Sequence, residues 1–199
     1  MVRVKKKRKP AVFLDRDGTL IHDAGFLSKV SQIKLFPDAV KALKLLREAG
    51  FYLFVVSNQS GVARGYFPES SVKKANQKIQ SLLKSRGAKI DRYFYCPHYP
   101  QGNVKSLSRV CVCRKPAPGM VKEAAKLYPV DLKRSFMVGD KIDDLLLAKS
   151  AKLAGGFLVR TGKGRKSAKV LAARPIKGSE VVPNLLSAVR KIVSSKGLK

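Results

Sequence analysis

The sequence predicts an α/β fold in which a mostly parallel sheet is flanked by helices. Three observations lead there. Short apolar runs such as "AVFL" (11–14) and "FYLFVV" (51–56) show no polar alternation and read as strands buried on both faces. Between such runs lie stretches whose apolar residues recur at helical spacing. The unusual polar residues, Asp15 to Thr19, Ser57 to Ser60 and Gly139 to Lys141, each follow a predicted strand, where open α/β sheets place their ligands.

In chain order, "AVFLD" is the first strand and "DAVKALKLLREAG" a helix closed by Gly50. "FYLFVVSNQ" is the second strand, and "PESSVKKANQKIQSLLKSRG" a long helix closed by Gly87. "KIDRYFYC" then leads into a polar loop, followed by helix "PGMVKEAAKLY", strand "SFMVGD", helix "IDDLLLAKSA" and strand "GGFLVRTG". The Lys-, Ala- and Ser-rich tail from Arg165 to Pro183 is expected to loop out before a last amphipathic helix, "NLLSAVRKIV".

At 199 residues and 45% hydrophobic, the chain fits one domain over 1–199. Residues 1–10, basic and ending in Pro10, read as a flexible arm. No apolar run approaches the roughly 20 residues of a membrane helix, so neither membrane insertion nor a secretory signal is expected. The three cysteines lie together between positions 96 and 113, unlike a secreted disulfide framework, which points to a reducing cytoplasm. A net charge of +29, from 42 basic and 13 acidic residues, favours anionic partners: nucleic acid, acidic membrane or phosphorylated metabolites. The basic residues are spread along the chain without an aromatic-interleaved stripe, so the charge reads as a solvated surface, with nucleic acid kept as an alternative partner. A monomer is expected.

In so basic a chain, Asp15 and Asp17 stand two apart at a strand end, facing one side, with Gly18 turning the chain away. Adjacent carboxylates repel unless a cation or proton lies between them. Asp140 brings a third carboxylate to the same edge, and Asp15, Asp17 and Asp140 with a phosphate suit Mg²⁺. A second set, Cys96, His98, Cys111 and Cys113, offers four N/S ligands, which fill a tetrahedral Zn²⁺ site and leave no open position. This zinc loop, 96–113, is read as structural, and His22 as a loop residue near the site.

The ordered stretches "FLDRDGTL", "VVSNQSG", Lys115 in "CRKP" and "MVGDKIDD" resemble the four motifs of haloacid dehalogenase (HAD) superfamily phosphatases. That resemblance implies a Rossmann-like HAD fold with a minimal cap. It makes Asp15 the nucleophile, Asp17 the general acid/base, Ser57 and Lys115 the phosphate-binding hydroxyl and amine, and Asp140 the metal ligand.

"SNQSGVARGYF", "YCPHYPQG" and "VCVCRKPAPGM" narrow the similarity, from about Pro10 to Gly162, to the D-glycero-D-manno-heptose 1,7-bisphosphate 7-phosphatase family. By resemblance, Asp23, Ala24, Gly25 and Phe26, and Ser57, Asn58, Gln59 and Ser60, contact substrate; Arg114 recognises it, and Lys141 lies beside metal and phosphate. Arg64 and Arg114 are candidate anchors for a distant second phosphate. The implied activity is removal of the 7-phosphate, through an aspartyl-phosphate, in nucleotide-activated heptose biosynthesis. Val112 departs from the family, which often has an acidic residue between the last two cysteines. The competing readings are a histidinol-phosphate or other small-molecule phosphatase, and a nucleic-acid 3′-phosphatase or basic nucleic-acid-binding protein.

Overall fold

The computed structural model describes residues 7–196. Six parallel strands form one sheet in the order β3-β2-β1-β4-β5-β6. They are β1 (Ala11–Leu14), β2 (Tyr52–Asn58), β3 (Arg92–Cys96), β4 (Phe136–Gly139), β5 (Gly155–Val159) and β6 (Ser179–Val182). Six α-helices cross between or follow them: α1 (Ala39–Glu48), α2 (Glu69–Lys84), α3 (Gly119–Leu127), α4 (Ile142–Ser150), α5 (Gly164–Ala173) and α6 (Leu185–Lys196).

The continuous apolar strands are buried on both faces because successive side chains point to opposite layers. Val12 and Leu14 pack with α1, α2 and α6 through Leu43, Ile79 and Ile192. Ala11 and Phe13 pack the other way, with Met120 and Val121 of α3 and Leu147 of α4. Phe13 of β1 stands level with Phe54 of β2 and Met137 of β4. The chain runs outward from β1 to β3, then returns to lay β4 on the other side of β1. Ligands of open α/β sheets bind beside such a reversal, and Asp15 and Asp140 emerge there, one strand apart. Gly50 and Gly87 take φ of +78° and +73° just past α1 and α2, the left-handed conformation that stops those helices.

Two expectations need correction. The tail does not loop out: α5 turns Gly164, Ser167 and Leu171 inward, and Leu171 meets Leu145 and Leu158. Its lysines and alanines are good helix formers that need only one apolar contact line to dock. Gly178, at φ +79°, then turns the chain into β6, which pairs with β5. Secondly, of the basic arm, residues 1–6 lie outside the described residues, while Lys9 is docked, its N–H donating to Pro129 O at 2.9 Å, and Pro10 is buried. Ser57 and Asn58 are the last residues of β2, paired with Tyr95 and Cys96, within the stretch read as the second strand. Among the described residues no helix is long and apolar enough to cross a membrane.

Phe54 is fully buried, with ring centroids 5.5 Å from Phe13, 5.8 Å from Phe94 and 4.9 Å from Tyr128. Phe54→Ala should lower the unfolding free energy by about 3–5 kcal/mol. A denaturant titration should show this as a lower midpoint at unchanged slope. Val110, 84% exposed, is the control, and Val110→Ala should leave the midpoint in place.

Candidate active site

The site is built around Lys115, 3% exposed. Its Nζ donates to Asp15 Oδ1 at 2.7 Å, Asp144 Oδ1 at 2.6 Å and Val56 O at 2.9 Å, using all three protons. Its backbone is gripped by Asn58 of β2, whose Oδ1 accepts from Lys115 N at 2.9 Å and whose Nδ2 donates to Lys115 O at 3.1 Å. Burial works against the charge on Lys115, but Asp144 and Asp15 outweigh it and raise its pKa. Burial likewise tends to raise Asp15, yet Lys115 and Lys141 overcome it and hold that carboxyl well below the usual range. Asp15 is therefore an anion.

The carboxylates that cluster are Asp15, Asp140 and Asp144, with ligand atoms all within 4.8 Å of one another. Asp17, expected beside Asp15 and Asp140 as a metal ligand, turns its side chain elsewhere. The buried Arg16 guanidinium holds it, Nε to Oδ2 at 3.1 Å and Nη2 to Oδ1 at 3.1 Å, and Gln59 Nε2 adds a contact to Oδ2 at 3.1 Å. Both oxygens of Asp144 are already used, Oδ1 on Lys115 and Oδ2 on Lys141 N at 3.0 Å, at the start of α4.

A cation fits between Asp15 and Asp140. Asp140 Oδ1 is buried without a hydrogen-bond partner. Burial, then the charge on Asp15, pushes the Asp140 carboxyl up to about 7, more than the opposing charge of Lys141 offsets. The Lys141 ammonium lies 3.4 Å from both Asp140 Oδ1 and Asp15 Oδ2, compensating them in part. The other Asp140 oxygen accepts from Lys163 N at 2.8 Å. Gly18 and Gly162, at φ +88° and +53°, close around that oxygen, and a Cβ on either would run into it. These hard oxygen donors suit Mg²⁺.

Above this cluster a cleft of about 250 Å³ is lined by Asp23, Gly25, Phe26, Ser60, Arg114 and Lys141, among others. Asn58 and Gln59, expected to contact substrate, also line it, while their amides hold Lys115 and, for Gln59, Asp17 and Ser57. Ser57 is 2% exposed, its Oγ accepting from Gln59 Nε2 at 2.9 Å. Ala24, exposed, and Arg64 do not line the cleft. Arg64 stacks on Tyr99 at 3.9 Å, and Arg114 lies 5.1 Å from the same ring. His22 packs on Phe36, with centroids 4.1 Å apart.

Cys96, His98, Cys111 and Cys113 form a second group whose ligand atoms lie within 4.8 Å of one another, and all three cysteines are free thiols. The Sγ atoms are 3.1 to 3.4 Å apart, too far for a disulfide, and His98 Nδ1 is 3.3 Å from Cys113 Sγ. Burial, then Arg109, lowers the proton affinity of His98 and favours the neutral imidazole that a metal needs. Burial and the neighbouring thiols push Cys96 up, a shift that a cation held by the cluster would oppose. The donor set fits Zn²⁺. Val112, 78% exposed, points to solvent, so its departure from the family pattern leaves the cluster intact. Arg114 Nη1 donates to His98 O at 3.3 Å, linking this loop to the cleft.

Sequence reasoning missed Arg16, Asp144, Thr161 and Lys163. The middle residue of "DRD" and the last acid of "DKIDD" stood in motifs already singled out. Nothing in "RTGK" signalled that Thr161 Oγ1 would donate to Gly18 O at 2.6 Å, or that Lys163 would hold Asp140.

A HAD-hydrolase-like family model matches residues 112–188. D-glycero-beta-D-manno-heptose-1,7-bisphosphate 7-phosphatase of Escherichia coli (strain K12) is 41% identical over 157 residues, 79% of this chain and 82% of that protein. The protein of the same name from Photorhabdus laumondii is 37% identical over 183 residues, 92% of this chain and 97% of its own. Among solved structures, D,D-heptose 1,7-bisphosphate phosphatase from B. bronchiseptica, complexed with magnesium and phosphate, is 32% identical with a TM-score of 0.81, covering 94% of this chain and 99% of that one. With these relatives spanning most of both chains, the protein belongs to the D-glycero-beta-D-manno-heptose-1,7-bisphosphate 7-phosphatase family of HAD-like hydrolases.

Proposed function

We propose that the protein hydrolyses a phosphomonoester through an aspartyl-phosphate and that its substrate is D-glycero-D-manno-heptose 1,7-bisphosphate, losing the 7-phosphate in the cytoplasm. The observation that carries this reading is the buried chain Asp15, Lys115, Asp144 beneath a cleft that Arg114 enters. The names of the relatives supply the sugar. Bound Mg²⁺ would sit between Asp15 and Asp140 and disperse charge on the phosphoryl oxygens. The Asp15 carboxylate, already anionic, forms a bond to phosphorus as the bond to the sugar oxygen breaks. Lys115 holds Asp15 by one oxygen, and Lys141 stands 3.4 Å from the other, where it meets the incoming phosphate charge. Asp17, whose side chain is 16% exposed toward the cleft, gives a proton to the departing alkoxide. It then takes one from the water that cleaves the acyl phosphate.

The role proposed for Zn²⁺ is positional. Held by Cys96, His98, Cys111 and Cys113, it would fix the loop that places Arg114 in the cleft and runs directly into Lys115. Ordering 18 residues costs on the order of 1 kcal/mol each, which few apolar side chains in that loop could offset.

Asp15→Asn keeps the shape of the nucleophile and removes its charge, so kcat should fall by several powers of ten while the melting transition persists. Steady-state kinetics beside thermal melting checks this, and a variant retaining a tenth of the wild-type rate, or about that, excludes Asp15 as nucleophile. In a panel of heptose 1,7-bisphosphate, histidinol phosphate, hexose phosphates and 3′-phosphorylated DNA, the heptose compound should give the highest kcat/KM. A DNA end that wins, with steep salt dependence, would favour the nucleic-acid reading. Cys113→Ser should lower bound zinc and kcat/KM together, the latter by roughly 100-fold, with added Mg²⁺ restoring neither. Metal analysis by mass spectrometry alongside kinetics decides it; full activity without zinc would refute the positional role.

A further inference from the structure

Helix α2 buries Val72, Ala75, Asn76, Ile79 and Leu83, and Asn76 is the one polar member of that stripe. An apolar residue would complete the stripe without burying an amide. Asn76 instead faces Arg16, and the two side chains are 8% and 1% exposed. Asn76 Oδ1 accepts from Arg16 Nη1 at 3.2 Å. The rest of the guanidinium is divided between Asp17, at 3.0 Å, and Gln59 Oε1, at 3.0 Å. Gln59 in turn donates to both Asp17 and Ser57. Asn76 does not line the catalytic cleft.

We propose that Asn76 is a positioning residue for Asp17. A guanidinium is a rigid planar fork, so an acceptor fixed at one edge sets the direction of the others. Asn76, carried by a helix, supplies that acceptor, and the carboxylate of Asp17 stands where Arg16 then holds it. Without Asn76, Arg16 Nη1 is a buried donor short of a partner, and the guanidinium turns toward other acceptors, taking Asp17 out of line with the leaving oxygen. This inference rests on the reading of Asp17 as the acid/base, and its test separates the two.

The variants are Asn76→Leu, similar in size and without an acceptor, and Asn76→Asp, which keeps an acceptor oxygen. Each is assayed on heptose 1,7-bisphosphate, whose alkoxide needs a proton to leave, and on p-nitrophenyl phosphate, whose phenolate does not. For Asn76→Leu, single-turnover cleavage of the sugar phosphate should slow about tenfold with KM changed by less than about twofold. The p-nitrophenolate burst should stay within about twofold of wild type. Asn76→Asp should recover most of the sugar-phosphate rate. An equal slowing of both substrates, or no slowing of either, overturns the proposal. Asp17→Asn is run in parallel. If it shows the contrast between substrates while Asn76→Leu does not, only the positioning role fails; if it shows no contrast, the acid/base reading fails with it. Should Asn76→Leu not fold, Asn76→Ala takes its place in the same comparison.

Discussion

One ammonium organises the site. Lys115 Nζ lies between Asp15 and Asp144, which are 2% and 0% exposed. Without Lys115 the two carboxylates would face each other in the interior, and without both carboxylates its ammonium would be buried unpaired, either one a cost of several kcal/mol. The trio must therefore assemble together, and each member arrives from a distant part of the chain: the end of β1, the segment after the zinc loop, and the first turn of α4. Asn58 completes the arrangement by clamping the backbone of Lys115 with both ends of its amide. Such a cluster stabilises the fold little by itself; it fixes one geometry, in which Asp15 is charged before any ligand arrives.

The second constraint is that three carboxylates converge on two ammoniums, Lys115 and Lys141. The imbalance falls on Asp140, whose one oxygen is pinned by Lys163 N between two glycines while the other has no hydrogen bond. The loop after β5 thus belongs to the site as much as the strand ends do. Thr161 ties that loop to Gly18, so the β1 turn and the β5 turn hold each other. The C-terminal third of the chain is in this way coupled to chemistry encoded near residue 15.

The sheet and its ligand edge were legible in the sequence because doubly buried strands leave unbroken apolar runs, and the polar residues after Leu14, Val56 and Val138 then stand out. The Cys/His cluster was legible because Cys-x-His and Cys-x-Cys are rare by chance. The carboxylate partners were less so. Periodicity places Asp17 beside Asp15, but it cannot show that the intervening Arg16 folds inward and captures it. Asp144 was hidden for a similar reason: its spacing from Asp140 suits an exposed first-turn acid, and only the arrival of Lys115 from residues far away makes it a buried counter-ion. The tail was misread because α5 rests on Leu171 and little else, a pattern too sparse to separate from a loop.

Cys96 is the last residue of β3, and β3 is the edge strand of the sheet, paired on one side only, with β2. An unpaired edge is an invitation to a strand from another molecule. The loop that starts at Cys96 returns to it through Cys111 and Cys113, whose sulfurs lie 3.4 and 3.1 Å from that of Cys96. The four clustered side chains therefore join the tip of the open edge strand to the segment that carries Arg114, so the margin of the sheet and the wall of the cleft share one point of attachment.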